Sequence, residues 1–376
     1  MSTEMLVQLF FSGLTYGSIY VVVAIGFNII YNSTGIINFA QGEFVMLGGM
    51  LAYTFNSFLP LWASIPIAVL VTALIGSFME FTFLRSLHKV GLIALNILAF
   101  GVVLLICSLL LSNKTETPAI FLAVTGGTAA IVLTILNLIW KASPSFQQLF
   151  IKASKPSVLQ MIVVTIGLSI VLKEVALQVW GDQVKTLPFF TGNETTSIAL
   201  LGAHFSPQVL WVLGLTGLVV IALSLFFKYT LIGQAMRACA DTTEGASLCG
   251  INPLVVVNLS FVLSAGIGAF AGCIIAPLTQ IQYSMGTGLA IKGFTVAIFG
   301  GFGNSTGALL GGLILGLLES FAIVVFPEAY KNIITIAILL LVLFIRPSGL
   351  LGAKKSRMIT RHTGDMETNY ELSSKK

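Results

Sequence analysis

Gly233-Gln-Ala-Met-Arg-Ala-Cys-Ala-Asp-Thr-Thr-Glu-Gly-Ala-Ser-Leu-Cys-Gly250 is a polar stretch set between two apolar runs, residues 207–228 and 253–280. It contains Arg237, Asp241 and Glu244. Membrane-spanning helices keep such charges few, so the stretch belongs in water or against a soluble partner. It is long enough to hold a short helix. The runs beside it are about 20 residues or more, and at about 1.5 Å per residue each crosses a hydrocarbon core about 30 Å thick. The same alternation of apolar run and polar loop recurs along the chain, which predicts an all-α polytopic membrane protein.

Composition agrees. A soluble domain carries about 25% charged residues, whereas this chain has 9%, with 56% hydrophobic residues and a mean hydropathy of +0.99. A transmembrane barrel would show alternating segments of about ten residues, and none is found. The net charge of +5 comes from Lys and Arg at the ends of apolar runs. There they orient the chain and touch anionic lipid, so a membrane is expected and nucleic acid is not. The N-terminal run carries Glu4, no basic leader and no small-residue cleavage site, and reads as a first span instead of a signal peptide. The four cysteines, at 107, 239, 249 and 273, lack metal-ligand spacing. There is no His pair at metal spacing, no Gly-x-Ser-x-Gly and no phosphate-cradling loop. The sequence therefore predicts no enzyme, no cofactor and no metal.

Candidate spans fall near 5–31, 36–57, 60–84, 91–112, 119–140, 157–180, 207–228, 253–280 and 329–346, with a longer broken segment at 293–326. That makes about ten crossings. Arg85, His88 and Lys89 form one basic cluster; Lys141, Lys152 and Lys155 form another; Arg346, Lys354, Lys355, Arg357 and Arg361 form a third. All three are expected in the cytoplasm. Alternation then places loop 229–252 inside, and the Gly181 to Gln208 loop and the N-terminus outside. The polar end of the chain, 353–376, reads as a disordered cytoplasmic tail.

These sides constrain 293–326. A single crossing would leave Arg346 on the wrong face, so the segment is expected to fold back through a half-helix from Gly293 to about Phe299, a turn at Gly300-Gly-Phe-Gly-Asn304 and a full span from near Gly307. Irregular backbone at membrane depth is tolerated inside protein or beside water. Gly300, Gly301, Gly303 and Asn304 are therefore candidate translocation-path residues, with a plain interhelical loop as the alternative. A second interruption, Asn32 to Glu43, carries Asn38, Gln41 and Glu43 among apolar residues. These three either line or gate a polar path, or sit at an interface and cap the next helix. Lys292 and Glu319 are expected to pair if the segment folds back. Gly13 with Gly17, Gly268 with Gly272 and Gly312 with Gly316 have the small-residue spacing of close helix packing.

Five blocks carry a family resemblance: Gly13-Leu-Thr-Tyr-Gly-Ser-Ile-Tyr20; Gly35-Ile-Ile-Asn-Phe-Ala-Gln-Gly-Glu-Phe-Val-Met-Leu-Gly48; Gly233 to Asn252; Lys292-Gly-Phe-Thr-Val-Ala-Ile-Phe-Gly-Gly-Phe-Gly-Asn304 with Gly311-Gly-Leu-Ile-Leu-Gly-Leu-Leu-Glu319; and Arg346-Pro-Ser-Gly-Leu-Leu-Gly352. In order and spacing they resemble the LivH-type permease of branched-chain amino acid ABC importers. The resemblance covers most of 5–88 and 155–352. It implies a bacterial inner-membrane permease that works by alternating access. Its partners would be a second related permease, two cytoplasmic ABC ATPase subunits and an external solute-binding protein. It also implies that Gly233 to Gly250 is the coupling helix that docks on an ATPase, with Arg237, Asp241, Glu244 and Gly250 as coupling residues.

The departure from that pattern is 89–152, where two apolar runs joined by Ser112-Asn-Lys-Thr-Glu-Thr-Pro118 read as an inserted transmembrane hairpin. The expected parts are thus 1–88, the hairpin 89–152, a C-terminal transmembrane part 153–352 and the tail. An ion-coupled secondary transporter, with Glu43 and Glu319 as ion sites, or a solute channel would share the broken helices. Neither accounts for the coupling-like loop.

Overall fold

The computed structural model describes residues 3–81, 158–193, 195–200, 202–324, 326–327, 330–345 and 349–351. The hairpin expected at 89–152 and the tail 353–376 lie outside these residues, as do the three basic clusters. Helix α1, Thr3–Thr34, is about 48 Å long at about 1.5 Å per residue, and its ends give names to the two ends of the molecule. It is followed by α2, Gln41–Asn56, α3, Leu61–Met79, and α4, Val158–Trp180. A short antiparallel hairpin, β1 (Ile198–Leu200) with β2 (Ala203–Phe205), pairs Ala199 with His204. Then come α5 (Gln208–Tyr229), α6 (Leu231–Asp241), α7 (Thr243–Leu248), α8 (Pro253–Ile275), α9 (Met285–Gly300), α10 (Ser305–Ala322) and α11 (Lys331–Ile345).

Among the described residues, α1, α3, α4, α5, α8 and α10 are long and apolar enough to cross a membrane, while α2 and α9 are shorter. Between spans in lipid, hydrophobic burial supplies little, and close backbone packing does more. The expected glycine pairs all sit at such contacts. Gly13 and Gly17 of α1 face Gly316 and Gly312 of α10, so these two helices run antiparallel. On α8, Gly272 meets the Val45 carbonyl and Gly268 meets Phe44, both of α2. Helix α1 is buried over most of its length from Gly17 to Ile30. Large apolar side chains remain exposed on the outer helices, such as Leu74 on α3, Ile221 on α5 and Leu340 on α11, as suits surfaces that meet lipid or another subunit.

Two helices begin inside this thickness. Gln41, the first residue of α2, lies against Gly26 of α1, eight residues or about 12 Å short of Thr34. The run 36–57 is therefore only in part a helix: residues 35–40 return from the Thr34 end as irregular chain before α2 starts. Helix α9 starts beside it, with Gly286 against Gly42 and the Glu43 carboxylate. The fold-back of 293–326 is present, but its descending arm is the whole of Met285–Gly300, longer than a half-helix from Gly293. Gly286, lacking a side chain, lets this extra length lie against α2.

Candidate functional site

The polar stretch forms two short helices, α6 and α7, at the Thr34 end. Thr230 starts α6 by accepting a hydrogen bond from the Gly233 N–H at 3.0 Å, which satisfies one of the unpaired donors of a first turn. Helix α6 is amphipathic. Gly233, Met236 and Cys239 are buried, as is Ala246 of α7, and α6 packs on α1, α5 and α8. Arg237, Asp241 and Glu244 are all exposed. Gly250 ends the segment with φ +80°. Leu248 of α7 is 91% exposed, an apolar side chain that a search for charges passes over.

The second group lies where α2 and α9 begin. Gln41 clamps three helices. Its Nε2 donates to the Ser264 carbonyl at 3.1 Å, its Oε1 accepts from Ser264 Oγ, and the same hydroxyl lies 2.9 Å from the Gly26 carbonyl. Glu43 is 1% exposed. Its Oε1 accepts from Ser169 of α4 at 2.9 Å and Thr287 of α9 at 3.4 Å, while its Oε2 has no hydrogen-bond partner among the described residues. The carboxylate sits in the first turn of α2 and against the first turn of α9, where two helix N-termini favour negative charge. Asn38 accepts from the Ala40 N–H at 3.1 Å, and its buried Nδ2 likewise has no partner among the described residues. Asn38, Gln41 and Glu43 are thus brought together with Ser169, Ser264 and Thr287. These three lack any distinguishing sequence signal, because single hydroxyls in apolar runs are common.

Gly300, Gly301, Gly303 and Asn304 form the turn between α9 and α10, level with the Thr34 end of α1. Gly301 and Gly303, with φ +98° and +84°, adopt a conformation that costs a side-chain-bearing residue about 1 kcal/mol or more. Asn28 bonds both sides of the turn, donating to the Asn304 carbonyl at 3.3 Å and accepting from the Gly303 N–H at 3.1 Å. Asn32 donates to the Gly303 carbonyl. Asn304 Oδ1 caps α10 through the Thr306 and Gly307 N–H groups, and its Nδ2 holds the Leu351 carbonyl at 2.9 Å.

Lys292 and Glu319 pair as expected, with Nζ to Oε1 at 3.0 Å. Tyr20 donates to Glu319 Oε2 at 2.6 Å, Lys292 donates to the Tyr20 hydroxyl at 3.0 Å, and Thr335 donates to Glu319 Oε1. This network joins α1, α9, α10 and α11. Further along the Thr34 end, Asn258 of α8 donates to Glu80 at 2.8 Å and to the Ser77 carbonyl at 3.2 Å.

The family described as the branched-chain amino acid transport system permease component matches residues 9–343. The chain belongs to this permease family. It is 30% identical over 348 residues to the high-affinity branched-chain amino acid transport system permease protein BraD of Pseudomonas aeruginosa, covering 91% of this chain and 94% of BraD. Against LivH of Escherichia coli K12 it is 29% identical over 356 residues, covering 92% and 95%. Against LivM of Salmonella typhimurium it is 24% identical over 361 residues, covering 92% of this chain and 70% of LivM. No solved structure matches. The permease is thus a multi-pass membrane transport subunit and not an enzyme, and its resemblance to both LivH and LivM fits a paired permease.

Proposed function

We propose that this permease imports branched-chain amino acids, or related small solutes, across a bacterial inner membrane, driven by two cytoplasmic ABC ATPase subunits and fed by an external solute-binding protein. The observation that carries the reading is the α6–α7 segment, whose apolar side is held by α1, α5 and α8 while Arg237, Asp241, Glu244 and Leu248 face outward. Exposed charges together with an exposed apolar side chain suit docking on a soluble protein. The Thr34 end is then cytoplasmic and the β1–β2 hairpin external. ATP-driven closure of the ATPases would push α6–α7, and with it α1 and α8.

Asn38 and Glu43, each with a buried polar atom unpartnered among the described residues, border the path. Gln41, held by Ser264, and the Gly300 to Asn304 turn hold its frame. An ion-coupled transporter is favoured by one feature, the Glu43 oxygen without a partner among the described residues. Mass spectrometry of what co-purifies from native membranes in mild detergent separates the readings. Recovery of an ABC ATPase and a second permease is expected. Recovery of the chain alone, active in vesicles without ATP, would favour ion coupling or a channel.

A further inference from the structure

A cavity of about 290 Å³ lies at the end of the molecule opposite Thr34, between the first half of α1, the β1–β2 hairpin, the start of α5 and the end of α8. Gln8, Ser12 and Tyr16 of α1 line it at four-residue spacing, so one face of that helix is turned to it. The stripe from Gly13 to Gly17 lies on a different face and is covered by α10. The hairpin straps across this part of α1: Phe205 stacks on Phe11 with ring centroids 4.5 Å apart, and Gly202 lies against the Glu4 side chain. His204 of β2 joins the lining. Gln8 is exposed and Ser12 half-buried, and neither side chain has a hydrogen-bond partner among the described residues.

An amide and a hydroxyl each donate and accept hydrogen bonds. One helical turn apart, the two can serve both the carboxylate and the ammonium of a zwitterion. Val209, Ile275 and Leu278 supply an apolar side for an aliphatic side chain. No Asp, Glu, Lys or Arg is among the described lining residues, so a ligand of net charge would leave water for a site without a fixed counter-charge. A lipid chain would instead leave the polar face of α1 unpaired. The volume is at the low end of the roughly 300–1,000 Å³ of ligand pockets. At roughly 30 Å³ per water-sized group, it suits one small amino acid better than a peptide.

We infer that this cavity is an entry site, holding a free aliphatic amino acid of no net charge at the external end of the permease, with Gln8 and Ser12 as its polar contacts. The inference rests on the transport reading for the side of the membrane and for the class of ligand. The walls include α1 and α8, the helices against which α6 packs near the other end, so motion of the segment proposed to meet the ATPase reaches the occupant.

The test is equilibrium binding of radiolabelled L-leucine to the purified transport complex without its solute-binding protein. Saturable binding is expected, competed by isoleucine and not by lysine or glutamate. Gln8→Leu and Ser12→Ala each remove a hydrogen bond to a charged ligand group and should weaken binding roughly tenfold. Leu278→Cys keeps both polar contacts, and its labelling by an impermeant maleimide from outside should be slowed by saturating leucine. Absent saturable binding, binding indifferent to both polar substitutions, or labelling that leucine does not slow overturns the site. Phospholipid retained by the unaltered complex and lost from both variants, with no leucine bound, also overturns it and gives the cavity to lipid. Leucine uptake with the binding protein present is measured in parallel. Uptake without cavity binding rejects the site alone; cavity binding that responds to both substitutions without ATP-driven uptake rejects the transport reading and upholds the site.

Discussion

Lys292 and Glu319 show how much a single buried charge depends on its neighbours. Removing one partner of such a pair leaves the other uncompensated and costs about 3–5 kcal/mol, whereas replacing both is often nearly neutral. Lys292→Met is therefore expected to lower the unfolding temperature of the detergent-solubilised protein, and adding Glu319→Gln should restore most of the loss. An unchanged transition in the single variant would show that water already solvates the pair. Two cysteines of the α6–α7 segment give a second residue-scale test. Cys249 is exposed, whereas Cys239 is buried, and burial pushes the Cys239 thiol pKa up, which lowers its reactive thiolate fraction. A membrane-impermeant maleimide should label Cys249 in inside-out vesicles, spare Cys239, and leave both unlabelled in right-side-out vesicles. Labelling of Cys249 from outside would invert the proposed orientation.

At the scale of elements, the termini of helices carry most of the polar chemistry. Asn304 both caps α10 and holds Leu351. Loss of a cap costs about 0.5–2 kcal/mol, so Asn304→Ala should lower thermal stability and, by freeing the 349–351 segment, speed proteolysis of the C-terminal end while uptake persists at reduced level. Equal proteolysis rates would mean that the Leu351 contact adds nothing. Arg237 and Asp241 are exposed, so changing either to Ala should weaken ATP-driven uptake more than expression. Normal uptake in both variants would sink the docking assignment. Leu248→Ser extends the same test, with weaker co-purification of the ATPase as its expected result.

For the whole molecule, joining residue 88 to 153 is the informative deletion. The helices α1, α2, α8, α9 and α10 pack on one another through glycine contacts that the deletion leaves in place, so the shortened chain is expected to insert and to recover its partners on pull-down. Loss of the entire complex would make 89–152 part of the assembly interface. Class, the order of the described spans, glycine contacts and the fold-back of 293–326 were legible in the sequence, because lipid leaves a backbone few ways to satisfy its polar groups and confines charge to the ends of runs. Those are local properties. Hydropathy did not reveal that α2 begins only at Gln41, since Ile36, Ile37 and Phe39 are as apolar in irregular chain as in helix. Nor could it reveal that Glu43 meets Ser169, 126 positions away, and Thr287, 244 positions away, or that Asn38 ends with a donor unmet among the described residues. By itself the sequence determined that this chain spans a membrane many times and which polar loops and breaks interrupt it. Only the tertiary structure decided which of those polar groups are paired, because partners on different helices are chosen by packing across the bundle and not by spacing along the chain.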